Sequence, residues 1–320
     1  MTINIQPGHI ARHTPRNAGA QGREAAVIDI AQDLLLQRLS QTGSLDNVAI
    51  KGGTAIRKLY AGKEGRFSLD LDFSVVGLNA DRNLIAKAFA ESAEGLVIGP
   101  FTYGISERRG KWSITFASRF VGEHTLATKL DFSPAPWMEP VLRSWIPLPI
   151  HAQYGEALPA IKTVRLEENI AEKIARLNRT TTARDMYDLA WIMSTPSVAQ
   201  TLDLALIRRL AVLKIWVDTN GMHSNGMFWN PGHEGSSFDP QRWLRHRDKT
   251  EFDPEDIGAL AVPTPSPEKL SDSVRIGYSF LAKLDSTEMT LSRSDERDRS
   301  LAMRTLQELP GGRLAETGLY

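Results

Sequence analysis

The stretch from Lys51 to Val75, KGGTAIRKLYAGKEGRFSLDLDFSV, constrains the fold of this chain more than any other. It reads as a glycine turn opening a helix, then a basic loop, then a strand carrying two aspartates one residue apart. A strand sends side chains i and i+2 to the same face, so Asp70 and Asp72 point together while Leu71, Phe73 and Val75 point the other way into a core. Behind Gly52-Gly53-Thr54, the residues Ala55, Ile56, Leu59 and Tyr60 recur at helical spacing. Backbone N–H groups and a hydroxyl are thereby gathered at a helix N-terminus, where a phosphate is favoured. Two adjacent carboxylates repel unless a cation lies between them, and a hard divalent ion such as Mg2+ takes carboxylate and phosphate oxygens together. The segment thus predicts a phosphate cradle opposed to a metal-binding pair.

The remainder predicts a mixed α/β protein. Residues 1–22, polar and broken by Pro7 and Pro15, read as an N-terminal arm. A helix is expected from Arg23 to Gln41 as a packing element, a short strand at 47–50, and a helix capped by Asp81. Three β-rich segments follow near 97–106, 111–120 and 123–132, as a meander. The last holds Asp131, on the same face as Lys129 and a candidate third carboxylate. A proline-rich passage from Pro134 to Pro159 marks the crossover between sub-domains, after which a strand at 161–164 precedes helices at about 166–178, 183–194 and 203–218. Expected domains are therefore 23–160, catalytic, and 161–320, mainly helical.

Acidic and basic residues balance, so affinity for a polyanion must come from local patches. The absence of cysteine excludes disulfides, thiolate catalysis and Cys-based zinc sites, and fits a reducing cytoplasm. No apolar run approaches the roughly 18 residues of a membrane span, so a soluble protein is expected. Seven histidines without a ligand-like spacing argue against a zinc hydrolase.

In the helix at 166–178, Leu166, Ile170, Ala171, Ile174 and Leu177 form one stripe, and turning each residue by about 100° puts Lys173 inside it. An inward ammonium is costly unless it meets an anion or reaches water. Around it stand Glu167-Glu168-Asn169-Ile170-Ala171-Glu172-Lys173-Ile174 and then Arg184-Asp185-Met186-Tyr187-Asp188-Leu189. The order strand, Gly-Gly-Thr, helix, Asp-x-Asp strand resembles the nucleotidyltransferase superfamily. With Lys173 and the Arg-Asp-x-Tyr-Asp-Leu motif added, residues 45–195 resemble the AbiEii family of nucleotidyltransferase-like toxins, which includes the MenT toxins of mycobacteria. The resemblance implies a nucleotidyltransferase-type palm with a mixed sheet, followed by a mainly helical C-terminal region that contributes a Lys and an Asp to the site. It implies that Asp70 and Asp72, with Asp131, bind Mg2+ or Mn2+, that Gly52, Gly53, Thr54 and Lys173 contact the phosphates of a nucleoside triphosphate, and that Asp185 or Asp188 completes the site, with Asp188 preferred.

The implied reaction transfers a nucleoside monophosphate to an acceptor hydroxyl. The family points to RNA, in particular the tRNA 3′ end, with translation and growth arrested, and to a cognate antitoxin. Transfer to a protein or a small molecule, or nucleotide binding without transfer, are the alternatives. Candidate RNA contacts are three basic clusters: Arg57, Lys58, Lys63 and Arg66; Arg108, Arg109 and Lys111; and Arg242, Arg245, Arg247 and Lys249 around Trp243. Ser68 shares the face of Asp70 and Asp72, so a phosphate added there would repel nucleotide, which makes it a candidate regulatory position.

Overall fold

A computed structural model describes residues 2–15, 19–77, 80–109, 111–221, 236–245 and 253–313. The chain forms two compact units. The first comprises residues 1–135, 141–163 and 258–263, and the second residues 136–140, 164–257 and 264–320.

The first unit is built on an eight-stranded mixed sheet. Its strands are β1 (Val48–Lys51), β2 (Asp70–Val75), β3 (Val97–Ile98), β4 (Phe101–Arg108), β5 (Lys111–Ser118), β6 (Thr125–Ser133), β7 (Val141–Arg143) and β8 (Ile161–Thr163), in the spatial order β3-β4-β5-β6-β2-β1-β8-β7. The expected meander is β4-β5-β6, antiparallel throughout. Strand β6 then runs parallel to β2, and β1 parallel to β8, with β1 and β2 antiparallel between them. Four helices belong to this unit: α1 (Pro7–His13), α2 (Gly19–Gln41), α3 (Gly52–Ile56) and α4 (Arg82–Ala93). Asp81 caps α4 as expected, accepting from the N–H groups of Asn83 and Leu84 at 2.8 and 3.2 Å.

One sheet face is covered by α2 and α4. Leu71, Phe73, Phe101, Ile114, Phe116 and Leu130 pack there with Leu34, Leu35 and Phe89. Every residue of α2 from Ala25 to Gln37 is buried, so this helix is enclosed on all sides rather than on one stripe. Its polar residues accordingly need partners inside the fold. Gln32 donates to the Ser68 carbonyl and the Thr128 hydroxyl, and Gln37 to the Glu156 carbonyl. The N-terminal arm is more structured than its composition suggests. Ile5 and Ile10 join the core, and the Asn4 N–H donates to the Gln153 carbonyl at 2.9 Å, so the arm is tied down rather than flexible.

The second unit is helical: α5 (Leu166–Arg179), α6 (Ala183–Ser194), α7 (Pro196–Ala199), α8 (Leu204–Asn220), α9 (Pro240–Arg245), α10 (Pro267–Gly277), α11 (Ser286–Leu291) and α12 (Arg299–Gln307). Helices α5, α6 and α8 fall within two residues of their expected bounds. Buried Glu168 on α5 accepts from the N–H groups of Trp137 and Met138, each at 2.9 Å, and from Lys214 on α8 at 2.9 Å. The bonds from Trp137 and Met138 tie residues 136–140 to this unit.

Candidate functional site

Gly52 has φ of +69°, a left-handed conformation that costs an L side chain about 1–2 kcal/mol. A Cβ there would also collide with the carboxylate of Asp72, because Lys51 lies opposite Asp72 in the β1–β2 ladder and the chain turns over that aspartate immediately afterwards. A Cβ on Gly53 would collide with the guanidinium of Arg66. Gly52 is therefore held to glycine by its backbone conformation, and the turn is laid directly against one aspartate and one arginine. Thr54 is fully buried and its hydroxyl donates to the Asp70 carbonyl, which fastens α3 to the start of β2. That hydroxyl serves the backbone, so the turn's offering to a phosphate is its backbone N–H groups.

Asp70 and Asp72 are half-buried and alternate with buried Leu71 and Phe73, as their spacing predicts. In the parallel β2–β6 ladder Asp70 lies beside Lys129 and Asp72 beside Asp131, and Lys129 and Asp131 are exposed. Partners across strands share a face, so all four side chains emerge from the side of the sheet opposite α2 and α4. Among the described residues no three His, Asp or Glu side chains converge into a group that could hold an ion by themselves. Hard-oxygen carboxylates on one open face, with the glycine turn set against Asp72, still fit a divalent cation that shares its ligation with phosphate. Ser68 is buried ahead of the strand, at 6% exposure, with its carbonyl held by Gln32. Its side chain is enclosed in the folded protein.

Three of the four residues of the first basic cluster, Arg57, Lys58 and Arg66, are buried, while Lys63 is exposed. After α3 the chain continues as a π-turn, Arg57–Ala61, and both Arg57 and Lys58 are buried. Arg57 pairs with Asp29 at 3.1 Å and donates to the carbonyls of Gly62 and Gly65 at 2.9 and 2.6 Å, with its guanidinium 3.7 Å from the centre of the Phe67 ring. Lys58 bonds both Asp29, at 2.8 Å, and Asp33. Asp33 further accepts from the Tyr154 hydroxyl at 2.7 Å, and His13 lies 2.9 Å from Asp29. Burial alone raises a carboxyl pKa, but here the charges of Arg57 and Lys58 outweigh it at Asp29, holding it well below the usual range, and Lys58 with His151 outweighs it at Asp33, which is lowered. Burial lowers the pKa of Lys58, yet the two aspartates leave it raised. These cations brace the loop between the glycine turn and the aspartate strand instead of meeting RNA. Helix α2, expected as plain packing, thus carries two acids, Asp29 and Asp33, that its sequence was not expected to contribute. Their signal is present there: two acids one helical turn apart inside the apolar run Ile28-Asp29-Ile30-Ala31-Gln32-Asp33-Leu34.

In the second unit Lys173 is indeed inward, at 2% exposure, and its ammonium lies 2.8 Å from both Asp185 and Asp188. The sequence motif favours one of these aspartates over the other, whereas the structure brings both to the lysine. Asp185 also accepts from Thr182 at 3.0 Å and pairs with Arg176 at 3.3 Å. Its burial raises the carboxyl pKa, and Lys173 and Arg176 reverse that and hold it far below the usual carboxylate range. Tyr278 packs nearby, donating to the Leu189 carbonyl at 3.3 Å, and burial reinforced by the charge of Asp188 pushes its hydroxyl pKa well up. Trp243 is no stacking platform: it is buried and donates to the Ile174 carbonyl at 3.1 Å. Arg247 and Lys249 lie outside the described residues, as do His223 and His233.

The profile of the nucleotidyl transferase AbiEii toxin family, of type IV toxin–antitoxin systems, matches residues 34–270. The chain belongs to the AbiEii nucleotidyltransferase toxin family. Among solved structures it is similar to MenT4, a nucleotidyltransferase toxin of Mycobacterium tuberculosis H37Rv, at 32% identity over 96% of this chain and 99% of that one, with a TM-score of 0.80. No curated protein sequence matches it. Membership makes this AbiEii protein a nucleotidyltransferase, with a nucleoside triphosphate as donor and an antitoxin as the expected partner. No helix among the described residues is long and apolar enough to cross a membrane.

Proposed function

We propose that this AbiEii toxin transfers a nucleoside monophosphate from a nucleoside triphosphate to the 3′ hydroxyl of an RNA, with tRNA as the target, and that the modified tRNA ceases to serve translation in the cytoplasm. The observation that carries the reading is the construction of the Gly52 turn against Asp72, which makes the phosphate-binding and carboxylate elements one structure. Asp70 and Asp72, with Asp131 beside them in register, would hold Mg2+ or Mn2+, which would supply charge neutralisation at the α-phosphate and activation of the attacking hydroxyl. The backbone N–H groups of Gly52 and Gly53 orient the triphosphate so that the hydroxyl oxygen meets the α-phosphorus as the bond to pyrophosphate breaks. Lys173 serves as a point charge for the phosphates, and Asp185 and Asp188 fix the position of its ammonium.

The test is purified protein with total tRNA, Mg2+ and each α-labelled nucleoside triphosphate in turn, beside Asp72→Ala. Labelled RNA that disappears in the variant supports the reading and names the nucleotide. Label on protein or a small molecule instead, with none on RNA, overturns it.

A further inference from the structure

The aspartate face continues across β6, β5 and β4. Asp70 lies beside Lys129, and Lys129 beside Ser113 of β5. One row along, Asp72 lies beside Asp131; one residue past the paired Trp112 and Leu130, the row reaches Lys111, which pairs with Arg108 of β4. Asp72, Asp131, Lys111 and Arg108 therefore cross four strands on the open side of the sheet, the apolar side chains of these strands lying beneath. Three strand spacings of about 4.8 Å make the row roughly 14 Å long, the length of about four nucleotides stacked at 3.4 Å. Short side chains flank it, with Ser113 and Thr115 half-buried and Ala127 exposed.

The cations of this surface differ from the lysines of the interior. Lys58, Lys173 and Lys214 each sit on buried carboxylates. Arg108, Arg109, Lys111 and Lys129 are exposed, and among the described residues none of them forms an ion pair. Glu107, between Ser106 and Arg108, alternates to the other face. Arg109 stands in the two-residue connection between Arg108 and Lys111 with φ of +55°, a position that favours Gly, Asn or Asp and here carries a cation. Unmatched cations on a low, open surface that leads to the aspartate pair complement a chain of phosphates.

We propose that this face is the acceptor track. The last nucleotides of an RNA 3′ end lie across β6, β5 and β4, their phosphates on Lys129, Lys111, Arg108 and Arg109, and deliver the terminal hydroxyl to Asp70 and Asp72. The inference rests on the reading of RNA as acceptor and adds where that acceptor is held.

The test compares wild type with the double variant Arg108→Glu/Lys111→Glu, both at an exposed hairpin, and with Lys87→Glu on α4 as a charge-reversal control away from the track. Binding of a fluorescent single-stranded RNA is followed by anisotropy over a range of salt, and transfer kinetics are measured against RNA and against nucleotide. The double variant is expected to melt as wild type does, to raise Kd and KM for RNA about tenfold or more, and to leave KM for nucleotide unchanged. Its slope of log affinity against log salt should shrink by about 0.7 for each phosphate contact removed. Lys87→Glu should match wild type. If wild type binds and labels RNA but the double variant does so with the same Kd and salt slope, the track is wrong while the RNA reading stands. A rise confined to the KM for nucleotide also overturns it, assigning the cations to the triphosphate. If wild type neither binds nor labels RNA, the RNA reading fails and the track with it.

Discussion

At the scale of single residues, the site depends on atoms that are missing as much as on those present. Gly52 is held to glycine by its left-handed backbone and by the Asp72 carboxylate where a Cβ would stand. Gly52→Ala should therefore leave the fold intact and displace Asp72, and a displacement of even 1 Å at a reacting centre costs about a hundredfold; nucleotide transfer measured beside a thermal melt checks this, and an active Gly52→Ala protein would refute it. Lys173 poses the opposite question, because its bonds to Asp185 and Asp188 also make sense as a structural ion triad. Removing the ammonium alone leaves two buried carboxylates facing each other, so Lys173→Met should cost about 3–5 kcal/mol. The triple variant Lys173→Met/Asp185→Asn/Asp188→Asn removes all three charges together and should recover most of that stability. If Lys173 serves catalysis, transfer stays abolished in the triple variant although its melting temperature recovers; restored transfer would make the triad structural only.

At the scale of elements, what the sequence disclosed and what it hid follow from how far each pattern reaches. Alternation in β2 and β6 is local, so Asp70 with Asp72, and Lys129 with Asp131, are each legible as a same-face pair in the order of residues, whereas the parallel pairing that sets the two pairs side by side is not. The inward lysine of α5 is legible for the same reason, since its stripe is written within one helix. The burial of Arg57 and Lys58 is not, because it depends on α2, a helix enclosed on every side whose acids sit about 25 residues earlier in the chain. A basic run next to a glycine turn looks like a polyanion surface until the carboxylates that neutralise it are located. The same brace sets a pH dependence. Asp29, Asp33 and Asp185 have folded-state pKa values below the unfolded reference of about 3.9, so the stability they supply is complete above that pH and is lost as pH falls through the folded values. Lys58 and Lys214 are raised above the reference of about 10.4, so their contribution is complete below it and is lost as pH rises through the folded values. Melting temperature should accordingly be level from about pH 5 to 9 and fall on both sides. Asp29→Ala, which leaves Arg57 and Lys58 short of a buried partner, should lower stability by about 3–5 kcal/mol by urea unfolding and flatten the acid limb of that profile.

At the scale of the molecule, the two units are not two lengths of chain. The sequence places a boundary at 160/161, after the proline-rich passage, whereas the first unit keeps β8 to Thr163 and takes back residues 258–263 from far downstream. That return has a physical reason: the Phe67 N–H donates to the Ala259 carbonyl at 2.9 Å, and Ala259 packs on the small cluster of Ala25, Ala26 and Phe67. Phe67 is the ring that carries the Arg57 guanidinium, and it lies three residues before Asp70, so the returning segment supports the approach to the aspartate strand. Nothing in the local composition of residues 258–263 announces such a role, which is why periodicity and punctuation assign the whole region to the helical half. A fragment ending at Thr163 should therefore be compromised even though it contains every strand of the sheet. It is expected to melt well below the full-length protein, with the amide of Phe67 exchanging fastest among the buried residues that precede Asp70. Joining residues 256–265 to the fragment through a flexible linker should recover part of that loss, measured as melting temperature and as protection of the Phe67 amide. A 1–163 fragment as stable as the first unit in the intact chain, with Phe67 equally protected, would show that the returning segment is held by the fold without supporting it.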